Sequence, residues 1–417
     1  MARRKRRPVK EYTTVREHTS AKEQAMQTER RRRARELERK GREAARGAMD
    51  MPFLLLTLVL TGIGLVMLFS ASFPAAYYST GDAAYYFKRQ LIFAILGLGA
   101  MFFMGRFNYQ RLRGLAKFLL GLSITLLVLV IIPHVGITVN GATRWLGFGE
   151  VFSFQPSEIA KLGVIVFFAD SISKKREKML TWRYGIIPYV AILGIMGVLM
   201  LMEPHLSGAI LILGTGAVMM AVGGIQAWLI GLGIGGVGAA SILFIKLVDK
   251  GVIHYNADRI LLWRDPWSDA SDAGYQICQS LIAIGSGGLL GVGLGRSRQK
   301  FLYLPERHND CIFAIVCEEL GLIGACVIML IFVLLIIRGF WIALHARDRF
   351  GALLAVGITT QVALQTFLNI AVVTGLIPAT GISLPFFSYG GTALALQLAE
   401  MGIVLSVSRQ IPAPRNG

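Results

Sequence analysis

Residues 53–73 read FLLLTLVLTGIGLVMLFSASF, a stretch without one charged side chain. A helix that crosses the hydrocarbon core of a bilayer needs about 20 predominantly apolar residues. Inside lipid the backbone must satisfy its own hydrogen bonds, so a helix is the form this stretch takes. Similar runs recur at 90–105, 115–133, 158–172, 185–202, 206–223, 226–247, 311–337, 351–374 and 388–407. The expected fold is all-α: a polytopic membrane protein of about ten transmembrane helices. Composition agrees, with 54% of the 417 residues hydrophobic and 16% charged. A soluble domain carries roughly 25% charge. The mean hydropathy of +0.58 excludes a soluble globular enzyme and a chain disordered as a whole.

Charge orients the bundle. The formal net charge is +18, and residues 1–50 alone hold 17 Lys and Arg against 8 Asp and Glu. Within them TERRRRARELERKGREAARG (28–47) favours helix but has no apolar stripe to bury. It reads as a solvated or membrane-surface segment drawn to anionic lipid, and not as a signal peptide, because no cleavage site follows the apolar run. The loops 106–117, 174–183 and 338–349 are also basic, and residues 409–417 add Arg409 and Arg415. The positive-inside rule then places both termini in the cytoplasm of a cell-membrane protein. Three parts follow: a cytoplasmic tail (1–50), a transmembrane domain (51–408) and a short cytoplasmic C-terminal tail (409–417). The basic balance reflects topology, so membrane lipid is an expected partner and nucleic acid is not. Cys278, Cys311, Cys317 and Cys326 form no C-x-x-C pair and no His cluster joins them, so neither a metal site nor a disulfide framework is expected.

The outward-facing loop 248–310 is long for a connector, and such loops are usually functional or disordered. It holds seven bases and seven acids. Its stretch QSLIAIGSGGLLGVGLG (279–295) is apolar, but too short and too glycine-broken for a full span; it reads as a re-entrant or interfacial helix ending in a turn. Without a following GK[ST], these glycines do not make a nucleotide loop. Arg296, Arg298 and Lys300 come next, suited either to lipid headgroups or to an anionic phosphate group. Asp310 closes the loop directly before an apolar run. A poorly solvated carboxylate there has a raised pKa and suits a general base, while Asp is also a good helix N-cap. The residues alone leave both readings open. Ionisable groups within the apolar runs are costly and default to functional hypotheses. Glu158 and Lys161 are three apart, which suffices for mutual pairing. Glu203 and His205 flank Pro204 at an outer turn. Glu318 and Glu319 lie about two turns below Asp310, to face a polar cavity or to pair with the basic set. Glu400 stands in the last span.

These residues carry a resemblance. FSAS (69–72), KRQ (88–90), NGATRW (140–145), FQPSEIAKL (154–162), GYQICQSLIAIGSGGLLGVGLGRSRQKFLYLPE (274–306) and TGLIPATGISLPFFSYGG (374–391) together resemble the SEDS family (shape, elongation, division and sporulation), most closely its FtsW/SpoVE branch. The resemblance covers about residues 53–408 and implies a ten-helix fold with peptidoglycan glycosyltransferase activity on lipid II, in division or sporulation. The family's essential outer-face Asp falls in LPE-x-x-x-D, which here ends in Asp310, implying a catalytic role. Joining the 4-hydroxyl of an acceptor GlcNAc to C1 of a donor MurNAc needs a base, and the leaving lipid pyrophosphate needs cations or a divalent metal ion; the sequence does not decide which.

Arg259, Arg296, Arg298, Lys300, Glu306 and His308 are the candidate substrate contacts, and Glu158, Lys161 and Glu319 the candidate intramembrane polar support. The implied partners are a class B penicillin-binding protein and other division proteins. Two departures stand out. EPHLSG (203–208) replaces the family's usual QPDLGT, so no role carries over to His205, and HNDCIFA (308–314) replaces the usual HTDFIFA while keeping Asp310. A lipid II transporter and a non-catalytic scaffold are the competing expectations. A transporter would depend on midplane groups such as Glu158, Lys161 or Glu400.

Overall fold

The computed structural model describes residues 47–139, 142–148, 152–226, 262–272 and 274–411, with isolated residues between 228 and 246. Arg259, the tail up to residue 46, residues 412–417 and nearly all of the span expected at 226–247 lie outside the described residues. The other nine expected spans are helices: α1 (Met51–Thr80), α2 (Tyr85–Arg106), α3 (Leu112–Ile131), α4 (Pro156–Lys175), α5 (Ile187–Met202), α6 (Leu206–Val222), α8 (Ile312–Leu344), α9 (Arg349–Val373) and α10 (Gly391–Ser408). Seven helical stretches among the described residues are long and apolar enough to cross a membrane by themselves. Helices α4 and α6 are not among them: α4 carries Glu158, Lys161, Asp170 and two C-terminal lysines, and α6 has 17 residues.

Local signals set the helix ends. Asp50 caps α1, accepting the Phe53 N–H at 3.0 Å, and Pro52 occupies its first turn. Gly81 ends α1 at φ 74°, a left-handed turn that glycine adopts without a Cβ penalty. Helix α9 is the axis of the bundle. It packs against α4, α6, α8 and α10, and most of it is buried. Helices α2 and α10 form the most extensive pair. There Gly97 and Gly402 let the backbones approach, as small residues do between membrane helices.

One end of the bundle gathers a polar girdle. Asp50 receives Arg338 at 2.7 Å, and its N–H donates to Ser408 Oγ. Asp348 accepts from Arg113 at 2.7 Å, Gln110 at 2.9 Å and the Tyr109 hydroxyl. Residues near 50 and near 408 therefore share this end, beside the basic loops.

The opposite end holds two features. The first was not expected in an all-α chain: a small antiparallel sheet of β1 (Ile137–Val139), β2 (Ala142–Phe148) and β3 (Phe152–Phe154), in the order β1-β2-β3. Thr138 faces Thr143 in the register, with their hydroxyls 2.7 Å apart, and Leu146 pairs with Phe154. These strands are too short for a period-two pattern to stand out in the sequence. The second feature is the re-entrant helix α7 (Tyr275–Gly287), 13 residues long. It descends alongside α8 until Gly287 abuts the backbone of Cys317 and Glu318. The chain then turns back.

Helix α8 is broken where α7 ends. Gly321 has φ 69° and ψ −172°, open only to glycine. The backbone groups freed by the break pair with the returning loop. Val292 and Gly293 donate to the carbonyls of Glu318 and Glu319, and Leu322 and Ile323 donate to those of Gly288 and Leu289. Irregular backbone at this depth persists because protein satisfies it.

Candidate functional site

A polar cavity of about 1180 Å³ opens at the end of the bundle that carries the sheet and α7. Its wall draws on almost every element that reaches this end: Arg89 of α2, Arg144 of β2, Glu158 and Lys161 of α4, His205 before α6, Gln276 of α7, Glu306 and His308 to Cys311 before α8, and Tyr389 to Ala393 before and within α10.

Asp310 sits in this wall two residues before α8. Cys311, not Asp310, takes the N-cap position of that helix. Burial pushes the Asp310 carboxyl up to about 6, the neighbouring Glu306 charge adds to the rise, and Arg144 opposes it. The backbone around it is pinned from the facing segment. Asn369 Nδ2 donates to the Asp310 carbonyl at 2.8 Å and to that of Ile382 at 2.6 Å. Ser388 Oγ donates to the Asn309 carbonyl at 2.7 Å, and the Tyr389 N–H to the His308 carbonyl at 2.8 Å. A Cβ built on Gly381, which has φ 67°, would lie 3.3 Å from Asp310 Oδ2, so glycine is suited twice over to this position.

The neighbours are held in turn. Glu306, in the left-handed region at φ 48°, accepts from Asn309 Nδ2 at 2.6 Å. His308 stacks on Tyr86 with ring centres 4.9 Å apart, and Tyr389 meets the edge of Tyr86 at 5.0 Å. Burial pulls His308 below its ordinary pKa, favouring the neutral ring. Lys161 Nζ lies 2.8 Å from Glu158 Oε1, as their spacing suggested. Arg144 donates to the Pro204 carbonyl. Glu203 and His205 are buried, not solvated at a turn. Burial raises Glu203 to about 8 and lowers His205 to about 3, so neutral forms are favoured for both.

Of the residues expected to act, Asp310, Glu306, His308, Glu158 and Lys161 share the cavity wall. Arg296, Arg298, Lys300 and Glu319 are not part of it. Lys300 is buried and bound to Glu319 at 3.0 Å. Arg89, Arg144, Tyr389 and Asn369 were missed as site residues. The signal of Arg89, Arg144 and Tyr389 was present in KRQ, NGATRW and FFSYGG, and that of Asn369 in being an amide within the apolar run 351–374, but one-dimensional spacing does not reveal that these segments meet. Among the described residues no group of three or more His, Cys, Asp or Glu is placed to hold a metal ion.

Fold and cavity together define a class: a multi-pass membrane protein built around a polar chamber open at one end of its bundle. The family model for the FtsW/RodA/SpoVE group, described as cell cycle protein, matches residues 51–412. The chain is 45% identical over 361 residues to stage V sporulation protein E of Bacillus subtilis, covering 86% of this chain and 97% of that one. It is 41% identical over 364 residues to the probable peptidoglycan glycosyltransferase FtsW of Geobacter sulfurreducens, covering 87% and 95%. Among solved structures it matches a chain from work on polymerization and crosslinking by a peptidoglycan synthase complex, with TM-score 0.72, 29% identity and coverage of 87% and 98%. It also matches the rod shape determining protein RodA of Thermus thermophilus, with TM-score 0.64, 28% identity and coverage of 88% and 98%. The chain belongs to the FtsW/RodA/SpoVE family.

Proposed function

We propose that this protein is a peptidoglycan glycosyltransferase that polymerises lipid II during cell division or sporulation. The carrying observation is one carboxyl, Asp310, set in a large polar cavity with a raised pKa and a backbone pinned from two sides. The family membership and the names of the relatives support the same reading. The cavity end faces outward and both termini are cytoplasmic, in keeping with the basic loops gathered at the other end. A class B penicillin-binding protein is the proposed partner, consistent with the synthase complex that the chain resembles in fold.

In this mechanism Asp310 accepts the proton of the acceptor sugar's 4-hydroxyl as its oxygen bonds to C1 of the donor. The bond from C1 to the pyrophosphate oxygen breaks, and undecaprenyl pyrophosphate leaves with the electron pair. Arg89 and Arg144, the arginines of the wall, are placed to hold phosphate oxygens, for which a guanidinium fork is well matched. Arg144 also lowers the cost of ionising Asp310. His308 and Tyr389 offer ring surface and polar edges to a sugar. Lys300, being bound to Glu319, drops out of the set of pyrophosphate contacts. Transport of lipid II is the competing reading. Its midplane candidates are Glu158, Lys161 and Glu400: the first two neutralise each other across 2.8 Å, and Glu400 is buried against Gln361, outside the cavity wall.

The test is polymerisation of labelled lipid II by purified protein with its partner transpeptidase. Glycan ladders are expected. Translocation in vesicles without any polymer would overturn the proposal. A pH series adds a sharper check. The base works when ionised, so kcat/KM is expected to rise through an acidic limb near pH 6 and level off above it. Glu306 raises the Asp310 pKa, so Glu306→Gln is expected to move that limb to lower pH. A limb that stays in place in Glu306→Gln would argue that another group is being titrated.

A further inference from the structure

Residues 288–311 form no helix or strand, although they lead directly to Asp310. Leu302 and Glu306 sit in the left-handed region, where side chains pack poorly against their own backbone. Such a segment keeps one shape only if particular contacts impose it. Its far end is fixed by Asn369, Ser388 and Tyr389. Its near end is fixed by a buried cluster unconnected with the cavity.

In that cluster Lys300 Nζ lies 3.0 Å from Glu319 Oε1 and 3.2 Å from Ser70 Oγ. Ser70, from α1, is itself 2.7 Å from Glu319. The Ser297 N–H also reaches Glu319, at 3.3 Å. Next door, Glu318 takes the N–H of Arg298 at 2.8 Å and of Gln299 at 3.4 Å, together with the Ser297 hydroxyl. Glu318, Glu319, Ser297 and Lys300 are each at most 2% exposed. The cluster thus joins three parts of the chain: α1, the broken helix α8 and the start of the catalytic segment. A buried ion pair is a costly way to hold a fold, because an apolar pair of similar volume is often as stable. Its distinctive property is that only one register satisfies every partner.

We propose that Lys300, Glu319, Glu318, Ser297 and Ser70 form a positioning lock for Asp310. The lock anchors residues 297–300, so that the ten residues beyond deliver the carboxyl to the cavity at a fixed depth. It gives a role to FSAS and to the basic run after the glycines, neither of which the chemistry of the cavity uses. The proposal rests on the reading of Asp310 as the base, because it assigns these residues to the placement of that group.

The test combines hydrogen–deuterium exchange of the full chain in nanodiscs with polymerisation of labelled lipid II. In Lys300→Met, peptides covering 297–310 are expected to exchange at least about tenfold faster, while α2, α9 and α10 keep their protection. The kcat should fall by about tenfold or more with KM within about threefold, since a displaced base weakens the chemical step more than binding. The double variant Lys300→Met/Glu319→Gln is expected to recover part of both losses, because it removes the uncompensated buried charge. If Lys300→Met does not fold, Ser70→Ala is expected to show the same local change at smaller size. Unchanged exchange in 297–310 overturns the lock, as does a uniform loss of protection through the bundle. Local deprotection with wild-type kcat overturns its link to Asp310. Exchange is read without substrate, so a wild-type protein that makes no glycan would sink the catalytic reading while leaving the lock to be decided.

Discussion

Asp310→Ala is expected to erase the glycan ladder, with kcat falling by about 10²- to 10⁴-fold, the usual contribution of a positioned base. Binding of lipid II should survive, because Arg89 and Arg144 come from other elements and remain in the wall. Asp310→Asn should be as inactive, since an amide cannot take the proton, yet it should be more stable. The sign follows from the raised pKa. Between the ordinary carboxylate value of 3.8 and the native value of about 6, the unfolded chain loses its proton before the folded one does. Folding stability therefore declines as pH climbs through that window and stays reduced above it. Two pKa units correspond to about 3 kcal/mol, an upper value for a carboxyl that opens on a wet cavity. Thermal unfolding at neutral pH should show Asp310→Asn above wild type, with the gap closing below about pH 4. An active Asp310→Asn protein, or one less stable than wild type at neutral pH, would remove the carboxylate from the proposed role. A scaffold without turnover would tolerate the substitution in cells, which separates that alternative from the enzyme.

Most of the bundle was legible because apolar length is a one-dimensional property. A run such as 53–73 declares a helix wherever its neighbours lie, and α1 begins within two residues of the run's start. The re-entrant helix was legible for a related reason: the apolar stretch 279–295 is too short and too glycine-broken to cross a bilayer, although the helix itself runs from Tyr275 to Gly287. The site was legible only in part. Asp310, Glu306 and His308 lie close together in the run ERHND, and Glu158 with Lys161 follows from helical spacing. Arg144 was hidden because it sits in a strand of seven residues that no apolar period marks. Lys300 shows a different limit. In sequence it is one of three bases after a glycine run and looks available to a phosphate, while Glu318 and Glu319 stand as possible partners for the same bases without marking which one they take. In space it faces Glu319, where the break at Gly321 brings the loop against α8. Nothing in the spacing of charges announces such a break.

Asn369→Asp is expected to be the most damaging isosteric change outside the cavity wall. Asn369 is 1% exposed on the central helix α9, and its two amide hydrogens serve two carbonyls, those of Asp310 and Ile382. It thereby ties Asp310 to the loop that holds Gly381 beside it. A carboxylate of the same shape has no hydrogen to give and sets its charge against both carbonyl oxygens. Leaving buried polar groups unsatisfied costs about 1–3 kcal/mol each, so a loss on the order of 3 kcal/mol or more in stability is expected. Polymerisation should fall by about 100-fold, since a displacement of about 1 Å at a reacting group has that effect. Asn369→Ala should be milder, because the vacated space admits a water that can donate to one or both carbonyls. The pH profile distinguishes disordering from electrostatics. A new negative charge on the other side of the Asp310 peptide opposes ionisation of its carboxyl, so the acidic limb in Asn369→Asp should move above pH 6, opposite in direction to Glu306→Gln. If Asn369→Asp retains wild-type turnover and an unmoved limb, Asn369 does not hold Asp310, and the pinned backbone on which the catalytic reading rests is not what aims the carboxyl.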